Sequence, residues 1–277
     1  MSKASSANTQ IEVQGHRGAR AVLPENTLAA FEYALELGVD TLELDMGVTK
    51  DGAVIVVHDQ KINPVICQFK DGRQIEDDLW IHQMSLSEIK EIDCGTKINP
   101  RFADQQPRAG SEIPTLEEVF RLVEQSPLEK AKTVLFNIET KSDPSIIYAQ
   151  PSPQEFVKAV LAVVEKFDLS ERVCIQSFDH RTLIETYHLA PQMLTSALFD
   201  EAPKDWVKAT AQAKANIVSP DFKLIDSESV TTMQQAGLRV IPWTANHARD
   251  WDNLIELNVD GIITDDPQAL LEHLGRL

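Results

Sequence analysis

Short apolar runs alternate with amphipathic stretches almost from end to end of this chain, which points to a parallel α/β architecture. The pattern predicts strands at Ile11–Gly15, Thr41–Val48, Thr133–Glu139, Val173–Gln176, Leu194–Leu198, Asn216–Ser219, Leu238–Trp243 and Gly261–Thr264. It predicts helices at Thr27–Leu37, Pro153–Phe167, His180–Leu189, Asp205–Ala213, Ser227–Ala236 and Ala248–Leu257, with a last one from Pro267 to about Leu274. Asn26 stands where it would cap the first helix, Gly38 where it would end it, and Gly237 just past the 227–236 helix. Eight alternations in a chain of 277 residues fit a (β/α)8 TIM barrel better than a doubly wound sheet. No G-x-G-x-x-G follows the first strand, as a dinucleotide-binding fold would require.

One stretch breaks the rhythm. Residues 60–114, rich in Asp, Lys, Gln, Asn and Pro, separate the second strand region from a helix begun by Thr115. A connection of that length is functional or a small subdomain. We read it as an insertion on the active face of a single barrel domain spanning 1–277.

The formal net charge of −17 argues against a nucleic-acid-binding face, which needs a basic footprint, and against docking on anionic membranes. If the substrate is an anion, local cations or a metal must reverse the field at the site. No run approaches the roughly 18 apolar residues of a membrane-spanning helix. The N-terminal MSKASSANTQ has no apolar leader core, so no secretory signal is visible. Cys67, Cys94 and Cys174 are odd in number, scattered and without CxxC spacing. They suggest neither a disulfide framework nor a zinc site, and a reduced, cytoplasmic setting is expected.

Polar residues cluster where the strands end. His16 and Arg17 sit between Gly15 and Gly18 after the first strand. In the second, strand period puts Glu43 and Asp45 on one face and Leu42 and Leu44 on the other, so both acids would point into a barrel. Two like charges there raise a pKa unless a cation neutralises them. A hard divalent ion, Mg²⁺ or Ca²⁺ rather than zinc, is the economical partner. Asp51-Gly52 marks a tight turn, after which Val54–Val57 returns the chain to the same rim and delivers His58 near His16. Asp59 then either orients an imidazole or caps the next turn. Glu139 and Lys141 share a face with Asn137, making Glu139 a third carboxylate and Lys141 a contact for phosphate or for the acids. Gln176-Ser177-Phe178 and Trp243-Thr244-Ala245-Asn246 follow later strands, where barrel enzymes keep substrate contacts. Packing for Trp243 and helix capping for Ser177 or Asn246 are the plainer alternatives. His82, His180, His188, His247 and His273 are expected at the surface.

The runs GHRG-x(5)-PENT, ELD-x(3)-TKDG-x(4)-VHD and IETK together resemble the glycerophosphodiester phosphodiesterase family. QSF, W-T-x-N, DGIITDDP, SLSEIKEIDCG and IPTLEEVF extend the likeness over nearly the whole chain. The resemblance implies a TIM barrel that cleaves glycerophosphodiesters such as glycerophosphocholine or glycerophosphoethanolamine, with a divalent cation, to glycerol 3-phosphate and an alcohol. It implies Glu43, Asp45 and Glu139 as metal ligands, His16 and His58 as the acid–base pair, with His16 read as base. It also implies Arg17 as a phosphate clamp, Lys141 as a further cationic contact, and Gln176 and Trp243 in the substrate pocket. The segment HDQKINPVICQFKDG lacks the Arg-Thr-Thr common in relatives, a departure that bears on the alcohol group. A phosphodiesterase of lysophospholipids or sphingolipids, an inactive head-group-binding barrel and a barrel of enolate chemistry are the alternatives.

Overall fold

A computed structural model of the chain describes residues 11–146 and 149–277; the MSKASSANTQ segment read above lies outside them. The elements run β1 (Glu12–Gly15), α1 (Leu28–Leu37), β2 (Thr41–Val48), β3 (Val54–Val56), β4 (Gln68–Phe69), α2 (Leu86–Ile89), β5 (Ile92–Asp93), α3 (Leu116–Gln125), β6 (Leu135–Thr140) and α4 (Pro153–Lys166). They continue as β7 (Val173–Ser177), α5 (His180–Leu189), β8 (Leu194–Phe199), α6 (Trp206–Gln212), β9 (Ile217–Pro220), α7 (Ser227–Gln235), β10 (Arg239–Val240), α8 (Ala248–Glu256), β11 (Gly261–Thr264) and α9 (Pro267–His273).

Eight strands pair in parallel in the order β10-β9-β8-β7-β6-β2-β1-β11. The two ends meet: Asp260 N–H donates to the Val240 carbonyl, Ile263 N–H to Pro242 and Ala245 N–H to Ile263. The result is a nearly closed (β/α)8 barrel. Outward side chains such as Leu42, Leu44, Phe136 and Ile138 join Phe31, Phe120 and Phe156 of the helices in one core. The predicted strand over 238–243 shortens to Arg239–Val240 as a regular ladder. Ile241 N–H and Trp243 N–H still donate to the Val218 and Pro220 carbonyls, but Pro242 between them has no N–H to give.

Helix ends follow local chemistry, with one change from expectation. The cap of α1 is Thr27, whose Oγ1 accepts from Ala30 N–H, and not Asn26. Asn26 is instead held at φ 56° and turned toward the barrel interior. Gly38 closes α1 at φ 81°, where the left-handed backbone suits glycine.

Residues 57–115 pack Ile62, Ile81, Ile89, Ile92 and Ile113 with Ile55 of β3 into a small core of their own, beside the antiparallel pair β4 and β5. Here the cysteine reading is corrected. Cys67 and Cys94 form a disulfide. The ladder pairs Gln68 with Asp93, so the residues just outside it, 67 and 94, fall opposite one another. Spacing of 27 residues in the sequence hides that pairing, because only the hairpin brings the thiols together. Cys174 remains a free thiol. The disulfide removes the support that unpaired thiols lent to a reducing setting. No helix among the described residues is long and apolar enough to cross a membrane.

Asp40, at the foot of β2, ties the chain's C-terminal end to β1 and to the approach to β6. It accepts from Val13 N–H at 2.9 Å, Arg276 Nη1 at 2.8 Å and Lys130 Nζ at 2.9 Å. Burial works against its charge, but these donors outweigh it and hold the carboxyl below its ordinary range. A depressed folded pKa stabilises above the unfolded value of about 3.9 and loses that stability as pH falls through the folded one. Asp40→Asn is therefore expected to cost about 2 kcal/mol at pH 7, with the difference shrinking below pH about 4. Urea denaturation across pH 3–7 measures it; a pH-independent difference would refute the linkage.

Candidate active site

The turn after β1 is built by its glycines. A Cβ on Gly15 would lie 2.2 Å from the Gly18 carbonyl oxygen, and one on Gly18, at φ +86°, would lie 2.7 Å from Ala30. This close winding sets His16 N–H on Thr264 O at 2.9 Å and turns Arg17 N–H onto Glu43 Oε2, also at 2.9 Å. A polar pair thus hangs over the C-terminal mouth of the barrel, where barrel enzymes place their chemistry.

Beneath it lie three carboxylates. Parallel register makes Asp45 and Glu139 cross-strand neighbours and pairs Glu43 with Asn137. Glu43, Asp45 and Glu139 each offer an oxygen, and these lie within 4.8 Å of one another. All three are buried. Glu43 receives Arg17 N–H on one oxygen and Gln176 Nε2 on the other, at 2.7 Å. Asp45 Oδ2 accepts from Asn26 Nδ2 at 2.8 Å, while its Oδ1 is buried with no hydrogen-bond partner. Burial, reinforced by the charges of Asp45 and Glu139, pushes Glu43 well above its usual range. Glu139 is raised by burial too, against Lys141. Burial also opposes Asp45, but Arg17, His58 and Lys141 hold it far down. Oxygen-only donors, close spacing, a buried oxygen without a hydrogen-bond donor and the mutual repulsion that burial imposes on these acids all fit a hard divalent cation.

Cations surround the acids. Arg17 Nη1 reaches Glu25 at 2.6 Å and its Nε lies 3.1 Å from Asp45 Oδ2. Lys141 Nζ is 2.6 Å from Glu139 and 3.9 Å from Asp45; burial opposes its charge, yet these acids keep it above the ordinary range.

The histidines stand in unlike surroundings. His16 Nδ1 is 2.6 Å from Asp265, and its Nε2 is 3.9 Å from Glu43. Burial lowers its pKa to about 4, against the pull of Asp265, so at neutral pH the ring is uncharged. The geometry assigns its proton to Nδ1 and leaves Nε2 with a lone pair. Asp265 also takes Arg20 Nε at 2.5 Å and Asn246 Nδ2 at 2.7 Å. His58, one-third exposed, bonds Asp59 through Nδ1 at 2.6 Å. Asp59 thus orients an imidazole.

All nine residues singled out from sequence except Asp45 line one cavity of about 680 Å³, and Asp45 lies beneath it. Gln176 faces Glu43 with one end and accepts from Asn137 Nδ2 with the other. Trp243 packs edge-on against Phe178 at 5.3 Å and donates Nε1–H to Ser219 O. Neither Ser177 nor Asn246 caps a helix: Asp179 caps α5, and Asn246 holds Asp265. Of the histidines read as surface residues, His82 and His180 are half-buried against the carbonyls of Val48 and Leu198.

Sequence reading missed Asp265, Arg20, Glu25 and Asn26 as members of the site. The DDP after the last strand was the available signal for Asp265, since it sits at a strand's C-terminal end.

Fold and site together define a (β/α)8 barrel with a buried cluster of three acids under its mouth. The chain belongs to the glycerophosphoryl diester phosphodiesterase family, whose model matches residues 16–269. It is 34% identical over 259 residues to a glycerophosphodiester phosphodiesterase of Caldanaerobacter subterraneus subsp. tengcongensis, covering 94% of this chain and 96% of that one. A glycerophosphodiester phosphodiesterase of Bacillus subtilis is 30% identical over 263 residues, covering 91% of this chain and 82% of the other. A crystal structure from Silicibacter pomeroyi DSS-3, described as a candidate glycerophosphoryl diester phosphodiesterase, superposes with a TM-score of 0.88 at 31% identity, over 96% and 94% of the two chains.

Proposed function

We propose that this chain hydrolyses glycerophosphodiesters, including glycerophosphocholine and glycerophosphoethanolamine, to glycerol 3-phosphate and an alcohol. The observation that carries the reading is the buried triad of Glu43, Asp45 and Glu139, with an unpartnered oxygen, set between two carboxylate-oriented histidines. The activity of the two bacterial relatives supports it.

Glu43, Asp45 and Glu139 would hold one Mg²⁺ or Ca²⁺, which when bound supplies Lewis-acid neutralisation of the phosphoryl oxygens. Arg17 and Lys141 add positive charge on the phosphate, Arg17 with a fork suited to two oxygens. His16 Nε2 takes the proton of the attacking hydroxyl, read as the glycerol 2-hydroxyl, and Asp265 stabilises the imidazolium that forms. His58 protonates the departing alkoxide, oriented by Asp59. Water then opens the cyclic phosphate. Gln176 fixes Glu43, and Trp243 with Phe178 forms an apolar wall.

One observation favours a second substrate. Val65 is 55% exposed and lines the cavity with Ile66 and Phe178, which gives a lysophospholipid acyl chain an apolar approach. The test is product analysis. Purified protein with Mg²⁺ or Ca²⁺ is expected to release glycerol 3-phosphate from glycerophosphocholine faster than it releases choline from lysophosphatidylcholine. A reversed order would favour the second substrate, and no release from either would sink both.

A further inference from the structure

The two histidines are braced differently. Asp265 grips His16 from inside the barrel, where Arg20 and Asn246 fix its carboxylate. The His58–Asp59 pair sits on the rim, with side chains 33% and 43% exposed. An exposed ion pair gains little from its own attraction and does not hold one geometry unaided. Its further support comes from the disulfide-bearing insertion. Asn63 Nδ2 donates to Asp59 Oδ2 at 3.0 Å, while Asp59 Oδ1 faces His58. The second arm of the insertion does the same for the cationic side. Asn99 Nδ2 donates to Glu25 Oε2 at 3.2 Å, and Glu25 Oε1 accepts from Arg17 Nη1 at 2.6 Å.

The arms are joined twice. Cys67, whose N–H bonds the Asn63 carbonyl at 2.9 Å, is linked to Cys94, five residues before Asn99. Lys97 Nζ donates to the Pro64 carbonyl at 2.7 Å. Gln105 then ties the second arm to the β1–α1 loop, accepting from Asn99 N–H and donating to the carbonyls of Arg20 and Leu23. Disulfide, amides and carboxylates thus form one continuous frame from His58 to Arg17.

We propose that Asn63 and Asn99, spaced by the Cys67–Cys94 disulfide, are positioning residues of the active site: Asn63 orients the acid His58 through Asp59, and Asn99 orients Arg17 through Glu25. The proposal rests on the acid–base reading above. It makes a separable claim, since the first arm serves leaving-group protonation and the second serves phosphate binding.

The test compares glycerophosphocholine with the p-nitrophenyl ester of glycerol phosphate, whose leaving group departs without a proton. Asn63→Ala is expected to lower kcat on glycerophosphocholine about tenfold or more while changing the nitrophenyl ester less than about threefold. Asn99→Ala is expected to raise KM for both esters with a smaller change in kcat. Cys67→Ala/Cys94→Ala should combine the two defects, and the single asparagine variants carry the test if that pair does not fold. Equal slowing of both esters by Asn63→Ala, or an unchanged KM in Asn99→Ala, would overturn the positioning roles. His58→Ala is the reference. If it is selective for glycerophosphocholine while Asn63→Ala is not, positioning alone fails. If His58→Ala itself slows both esters alike, the acid assignment fails and this proposal with it.

Discussion

Alanine at His16 or at His58 is expected to lower kcat for glycerophosphocholine by about 10²–10⁴-fold, the usual contribution of a positioned acid or base. Both substitutions should leave the fold intact. Removal of the His16 ring leaves Asp265 still paired with Arg20 and Asn246, so no buried carboxylate is orphaned. His58 is one-third exposed at the rim. The two variants should differ in character. His16 is uncharged at neutral pH and loses that state only near pH 4, so its base form is available across the physiological range. His16→Ala should therefore slow every ester, because proton removal from the attacking hydroxyl is needed whatever leaves. His58→Ala should regain much of its rate when the leaving group is a nitrophenolate. Steady-state kinetics with circular dichroism melts decides this. Near-wild-type turnover in either variant would remove that histidine from the mechanism.

The second large effect falls on the acids. Asp45→Asn keeps the shape of the side chain but withdraws the charge of the carboxylate that Arg17, His58 and Lys141 hold most firmly ionised. Its Oδ1, buried without a hydrogen-bond donor, is the oxygen most in need of a cation. Loss of Lewis-acid stabilisation is worth several kcal/mol, so activity should fall by about three orders of magnitude or more. Calorimetric titration should show Mg²⁺ or Ca²⁺ binding to the wild type and none to the variant. Chelation should abolish wild-type activity, and added cation restore it. Full activity in EDTA would take the metal out of the mechanism.

Much of the site was legible because it follows strand period. Alternation alone puts Glu43 and Asp45 on the face opposite Leu42 and Leu44, and the structure packs those leucines under the helices. The Asp51-Gly52 turn gave the hairpin that returns His58 to the rim. Asn26 was misread, since a residue before a helix suggests a cap, while its true partner, Asp45, lies 19 positions away. Asp265 stood in a quoted motif without a role. Its role exists only because β11 closes the barrel beside β1, 249 residues from His16.

The alternation of apolar runs, the parity of the acids and the glycine-bracketed pair by themselves determined a barrel with acids, a histidine and an arginine at its mouth. These are properties of consecutive residues, set by local backbone geometry. Which carboxylate grips which histidine, that Cys67 meets Cys94, and that one oxygen of Asp45 goes without a donor were decided by the tertiary structure. Those facts depend on register between distant strands and on burial, neither of which a local pattern encodes.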